Sequence, residues 1–302
     1  MTTLVRTPSL DHHTLSDAEP AVEWLLEGEP GHDEIIDPSF FDKLRGHRVV
    51  EYDMGDWPHL PVRFPMVYTN VSLISATFTI PAAEAAALAP RSRRLKLVRS
   101  SPRRTPITFF AFDYGRSGLG RYREMGVALP LVLDGRLTPP MLPALMEAIR
   151  PGSHPKLGMY AVELPVDQAQ ACDGGIKLYG LPKVVGEAEF SLAESSGSAS
   201  LTCEGRKVAE LRVELDGPLG PPKVRPLPIT TISLLDGRII RTAYESIADG
   251  HITRRGSAEF VPGEHPRFQK FHGLSLSSKP LELRLIRRLN WIIWGPEDMG
   301  PA

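Results

Sequence analysis

Lys183 stands directly after Pro182 in the stretch GGIKLYGLPKVVGEAEF (174–190), with Leu181 ahead of the proline and Val184 and Val185 behind the lysine. An unpaired ammonium is expensive to bury among such neighbours, so the position has two readings. On a loop the lysine keeps its charge in water, as most lysines do. Buried, it is driven toward the free amine, the form that attacks a carbonyl carbon. Periodicity does not decide between them. Glu124, in YREMGVALP, sets the same choice on a strand that starts at Tyr122 and alternates toward Val127, Leu129 and Leu131. Turned inward it is a general acid or base; the pattern by itself favours the solvent face. Tyr122 and Tyr244 are candidate proton donors, and Phe109, Phe110 and Phe112 suit either an apolar pocket or plain barrel core.

Other constellations fall short of their chemistry. GRSGLGRYREMG (115–126) has Gly118-x-Gly120, but Arg123 replaces the third glycine of a dinucleotide fingerprint, and a strand with Pro130 follows where a phosphate-cradling helix is needed. GxxxxGK[ST], GxSxG and HExxH do not occur. His12, His13 and His32 lack ligand spacing, and Cys172 and Cys203 form no CxxC, so neither zinc nor a disulfide framework is indicated. No metal and no cofactor is expected.

The elements that must carry these residues are mostly strands. From residue 60 onward, short β-branched and aromatic runs such as VRFPMVYTNVSLISATFTI, TPITFFAFDYG and KVAELRVEL are separated by Pro and Gly, which argues against a βαβ alternation. Helices are expected at IPAAEAAALAP (80–90) and TPPMLPALMEAIRPG (138–152), both opened by proline. In RSRRLKLVRSSPRR (91–104), Leu95 and Leu97 alternate with Arg94 and Lys96 as in a strand with one wet face; the seven bases lack the aromatics of a nucleic-acid footprint. The C-terminal LELRLIRRLNWIIWGPEDMG reads as a strand or short amphipathic helix, with Trp291 and Trp294 packing on the domain or a neighbouring subunit.

Thirty-five basic residues against 36 acidic ones, a net charge of −1, give no attraction to a polyanion, so no nucleic acid is expected. The start of the chain lacks an apolar signal core, and no window reaches the roughly 18 apolar residues of a membrane span. A cytoplasmic protein away from membranes is the expectation. Residues 1–37 carry nine acids against Arg6 alone, so 1–55 reads as a partly ordered acidic extension and 56–302 as a single domain. With 29 prolines and 26 glycines spread through the body, no linker divides that domain.

SGLGRYREMGVALP and YGLPKVVGEAEF together resemble two motifs of the acetoacetate decarboxylase family, SGLGxYxExxxxxP and GRExxxxPKK, in the family's order and at nearly its separation. The likeness extends through TIPAAEAAALAP, LLDGRIIRTAYESIADG and HPRFQKFHGLSLSS, from about 60 to 290, and omits residues 1–55. It implies an α+β, mainly β, cone or double-barrel fold with a few peripheral helices, assembled as a homo-oligomer and working without a cofactor. It assigns Schiff-base formation with a small keto acid to Lys183 and an interior catalytic carboxylate to Glu124.

The departures matter equally. Val184 occupies the place of the family's second lysine, Val71 and Phe109 align with its arginine and second glutamate, and Lys177 with the glutamate of GRE; Arg63 is a possible substitute for the arginine. Loss of the arginine removes a bidentate clamp for a carboxylate. The leading expectation is therefore a Schiff-base lyase running enamine chemistry, such as aldol addition with dehydration, on a keto acid. Two alternatives stand beside it. One is a β-keto acid decarboxylase with a carboxylate site rebuilt from Arg116, Arg121 or Arg63; the other is a non-catalytic barrel that binds a hydrophobic ligand.

Overall fold

The segment Arg104–Ser117 buries both of its faces, which a single-layer strand cannot do. Phe112 and Tyr114 join one apolar cluster, whereas Ile107, Phe109 and Ala111 join another. A strand sends alternate side chains to opposite sides, so two separate layers must cover this one. The computed structural model describes residues 13–14, 34–45, 47, 50–52, 62–135 and 156–302, and supplies both layers.

In chain order the strands and helices are β1 (His13–Thr14), β2 (Val50–Tyr52), β3 (Val62–Phe64), β4 (Met66–Pro81), α1 (Ala82–Leu88), β5 (Leu95–Leu97), β6 (Arg104–Ser117), β7 (Tyr122–Leu133), β8 (Leu157–Glu163) and α2 (Ala169–Tyr179). They continue as β9 (Glu187–Leu192), β10 (Ser196–Cys203), β11 (Arg206–Leu215), β12 (Lys223–Pro226), β13 (Ile229–Leu235), β14 (Arg238–Thr253), β15 (Gly256–Pro262), β16 (Glu282–Ile293) and β17 (Glu297–Pro301). The path β14-β13-β8-β7-β6-β4-β16 closes through pairing of β16 with β14, which makes a seven-stranded barrel. Its inner face holds the first cluster. A second sheet, β15-β11-β10-β9, covers part of the outer face and encloses the second cluster, where Phe109 stacks on Phe260 at 3.9 Å.

The fold is thus mainly β with few helices. The helix expected at 80–90 is α1, and 91–104 contains the short strand β5 with Leu95 buried and Lys96 exposed. The C-terminal stretch is strand, β16, and sends Trp291 into the barrel. The helix expected at 138–152 and most of the acidic extension lie outside the described residues. Sequence pattern missed α2, because Gly174 and Gly175 sit in its middle and glycine is costly there. Tertiary packing overrides that cost: Ala171, Cys172, Leu178 and Tyr179 are buried against the barrel interior. The helix ends at Gly180 in the left-handed region (φ 61°), where a Cβ would meet the Leu234 carbonyl oxygen at 2.2 Å. That tight exit turns the chain directly into Leu181-Pro182-Lys183.

Candidate active site

Lys183 is buried and points into the barrel. Its Nζ lies 2.5 Å from Glu124 Oε2, and the two side chains are 6 % and 7 % exposed. Of the two readings of each residue, the structure shows the inward one. Glu124 is carried by β7, whose positions Tyr122, Glu124, Ala128 and Pro130 line a cavity of about 580 Å³ inside the barrel.

A short ladder holds the two residues in register. Glu124 bridges antiparallel to Val166, and Val166 bridges parallel to Val185. Backbone bonds from Met125 N to the Pro165 carbonyl (3.0 Å), Val166 N to the Val184 carbonyl (2.9 Å) and Gly186 N to the Val166 carbonyl (2.9 Å) complete it. The segment 164–166 is therefore the spacer between carboxylate and amine. From the opposite side, α2 presses Gly175 against the lysine stem: a Cβ there would lie 2.5 Å from Lys183 Cδ.

A clasp secures the turn from outside. Arg267, in the 3-10 helix Pro266–Phe271, donates from Nη2 to the Pro182 carbonyl (2.8 Å) and from Nε to Glu163 Oε2 (2.7 Å). Glu163 is buried at the end of β8 and also receives Lys270 Nζ at 2.5 Å on Oε1. HPRFQKF thus contributes to the site at one remove, by fixing the peptide that precedes the lysine.

Tyrosines surround the carboxylate. The Tyr114 hydroxyl donates to Glu124 Oε1 (3.2 Å), Tyr68 and Tyr122 hydroxyls lie 3.2 Å apart, and Lys183 Nζ sits 5.8 Å from the Tyr122 ring centre. Tyr244 shares a 3.4 Å contact with the Thr231 hydroxyl. Burial pushes all four phenols well above their ordinary range, with the neighbouring Glu124 charge acting in the same direction. Each stays a neutral hydroxyl able to donate a proton-bearing hydrogen bond at any ordinary pH. Trp291 backs this group, stacked on Tyr114 at 6.0 Å and tilted against Phe112 at 5.1 Å.

Several candidates sit elsewhere. Phe109 faces the outer layer because it alternates with Phe110 and Phe112, which do line the cavity. Val184 packs toward the second sheet and Val185 is 44 % exposed, so the apolar wall of the lysine comes from Leu181 and α2 instead. Val71 is buried in the barrel cluster below the cavity wall. On β3, Val62 reaches the cavity and half-buried Arg63 alternates away from it. Arg116 pairs with Glu34 (2.8 Å) and Arg121 with Asp113 (2.9 Å), neither in the cavity wall. Among the described residues the arginines that do line it are Arg225, Arg254 and Arg284, from β12, the loop after β14, and β16. Sequence reasoning passed over these arginines, and also Tyr68, Tyr114 and Trp291. Period-two alternation from Phe110 through Phe112 would have reached Tyr114.

Among the described residues no three His, Cys, Asp or Glu side chains cluster as a metal site, and no helix is long and apolar enough to cross a membrane. Both cysteines are free and buried.

The fold and site define a class: a closed β-barrel that encloses one lysine–carboxylate pair under a layer of neutral tyrosines. The family model described as acetoacetate decarboxylase (ADC) matches residues 54–257, and the chain belongs to that family. The acetoacetate decarboxylase of Legionella pneumophila superimposes with a TM-score of 0.55 at 12% identity, covering 82% of this chain and 94% of that one. A second structure, titled as structural studies of acetoacetate decarboxylase, gives 0.52 at 17% identity, covering 80% and 91%. At these identities the likeness is one of fold. No curated protein sequence matches the chain.

Proposed function

We propose that the protein is a Schiff-base lyase that converts a keto acid through an enamine formed on Lys183. The observation that carries this reading is the 2.5 Å contact between Lys183 Nζ and Glu124 Oε2 inside an apolar cavity. Transfer of one proton across that contact leaves an amine with a free lone pair and a neutral carboxylic acid beside it. The amine adds to the keto carbon; Glu124 protonates the departing hydroxyl, and water leaves as the imine forms. Glu124, again a carboxylate, then removes a proton from the carbon next to the imine, which yields the enamine. The enamine carbon attacks an aldehyde co-substrate, and the proton held by Glu124 passes through the Tyr114 hydroxyl to the new alkoxide, leaving Tyr114 neutral; Glu124 then takes a remaining proton of the attacking carbon and gives it to the departing hydroxyl, and addition of water at the imine carbon returns the free lysine. The contact between the Tyr114 hydroxyl and the carboxylate supports Tyr114 as the hydroxyl in that relay; the Tyr122 ring flanks the amine and its hydroxyl pairs with that of Tyr68.

Family membership favours a second reading, in which the same imine accepts the electron pair released when a β-keto acid loses CO₂. In that case the carboxylate would be received by Arg284, whose layer adjoins that of Glu124, instead of Arg63, Arg116 or Arg121. Borohydride reduction in the presence of pyruvate or acetoacetate, followed by peptide mass spectrometry, should place the adduct on Lys183. Product analysis then separates the readings. Condensation products with aldehydes support the enamine lyase, and rapid CO₂ release without such products replaces it by a decarboxylase. Absence of any adduct, across several keto acids, overturns both in favour of a ligand-binding barrel.

A further inference from the structure

The interior of the barrel is packed with rings on one side of the catalytic pair and lined by smaller residues on the other. Register links successive inward positions into layers. Glu124 shares its layer with Phe112, Leu73 and Ile286. On one side of it the next positions are Tyr122, Tyr114 and Val71, and then Tyr68 opposite Trp291, a solid floor of rings. On the other side most inward residues on β4 and β7 are small, although the Phe110 ring covers Gly126, where a Cβ would lie 2.4 Å from it, and Arg284 and Glu282 come in from β16. Ser75 and Gly126 occupy the following layer with Phe110 and Arg284; Thr77, Thr108 and Ala128 occupy the one after. Each layer adds about 7 Å along the strands.

A barrel of this strand number is just wide enough for side chains to fill it or for one ligand to replace them. Here the side chains stop short, and this bore is part of the cavity of about 580 Å³, a volume within the range of sites that enclose drug-sized ligands. An acid of three or four carbons would leave most of it vacant. Arg284, which is paired with Glu282 of the Thr77 layer, stands in the first layer past Glu124, Arg254 follows Ile252 of that layer by two residues, and Arg225 also lines the cavity. On this open side Arg284 and Arg254 stand against one carboxylate, Glu282, a balance that favours entry of an anion.

We propose that the substrate is a keto acid whose skeleton carries a ring-sized apolar body, and that this body lies in the bore between the Glu124 layer and the Ala128 layer. The inference rests on the Schiff-base reading and narrows it to a substrate class. Burial of a ring in an apolar bore strengthens binding in proportion to the area removed from water. The bulky acids should therefore bind better than the small ones.

The test is borohydride trapping on Lys183, titrated with pyruvate and acetoacetate as small acids and with phenylpyruvate and indolepyruvate as bulky ones. The expected result is an adduct with both kinds, half-saturated by the bulky acids at a concentration at least about tenfold lower. Adducts formed equally well or better with the small acids overturn the inference and leave the Schiff-base reading standing. No adduct with any acid overturns both. An Ala128→Leu variant, checked for folding by circular dichroism, places a larger side chain in the bore. It should cut the preference for bulky over small acids by about tenfold, and an unchanged preference means the body lies elsewhere.

Discussion

Lys183 Nζ lies 2.5 Å from Glu124 Oε2, although the two residues are 59 positions apart and nearly excluded from solvent. Removing one member of a buried pair strands the other without its counter-ion, at a cost of about 3–5 kcal/mol, whereas replacing both with apolar groups is often neutral or stabilising. Lys183→Met and Glu124→Leu are each expected to lower the urea midpoint, and the double variant to recover most of the loss. All three should fail to form an adduct with keto acids. A double variant less stable than both singles would contradict the account of the pair.

Gly175→Ala separates site geometry from fold stability. In an ordinary helix interior the change stabilises by roughly 0.5–1 kcal/mol. Here the new methyl group would stand 2.5 Å from Lys183 Cδ and 2.6 Å from Cε, so the lysine stem must move. Displacement by about 1 Å can cost on the order of 100-fold in rate. The variant should keep its thermal midpoint within a few degrees while the trapping rate at Lys183 falls by roughly 10–100-fold. A normal trapping rate would show that the stem accommodates the methyl group.

Arg267 acts through the Pro182 carbonyl and is a positioning residue. Arg267→Lys retains the charge but loses the fork that serves Glu163 and Pro182 together. It should lower kcat by about tenfold or more with KM little changed, because the lysine is misplaced and the substrate wall is untouched. Lys270→Ala removes only the second contact to Glu163 and should leave kcat near normal. Equal losses in kcat for the two variants would reduce the clasp to a general stabilising contact.

Alkali should unfold the barrel from the inside. The folded state holds Tyr68, Tyr114, Tyr122 and Tyr244 as neutral phenols beyond the range in which exposed tyrosines ionise, near pH 10. Their raised values mean that the unfolded chain releases protons first. Stability is therefore full below about pH 10 and falls as pH rises above it, by about 1.4 kcal/mol per pH unit for each such tyrosine. Ultraviolet titration should show these four ionising only together with loss of near-ultraviolet circular dichroism. Reversible ionisation of all the tyrosines in a folded protein would contradict it.

Much of the architecture is legible in local pattern. Short β-branched runs between prolines and glycines say strands, an alanine-rich segment after Pro81 says helix, and the paired motifs around Glu124 and Lys183 point to the family that the match over 54–257 shows. Helix α2 escaped because local propensity counts Gly174 and Gly175 against it, and only the close fit to the lysine stem explains Gly175. Phe109 and Phe110 look equivalent in sequence, yet period two must send them to different layers.

What the sequence by itself determined is the set of candidate groups: a lysine after proline, a carboxylate on a strand, and tyrosines in β-rich runs. Whether Lys183 and Glu124 were solvated or paired was decided by the tertiary structure. Closing the barrel through β14 and β16 encloses the inward residues of seven strands, and the Val166 ladder brings two distant segments within one hydrogen bond. The reversal of Val184, from supposed neighbour of the amine to a residue of the second sheet's core, has the same origin. Consecutive residues of an extended chain face opposite ways, so the side that holds the lysine cannot also hold the valine.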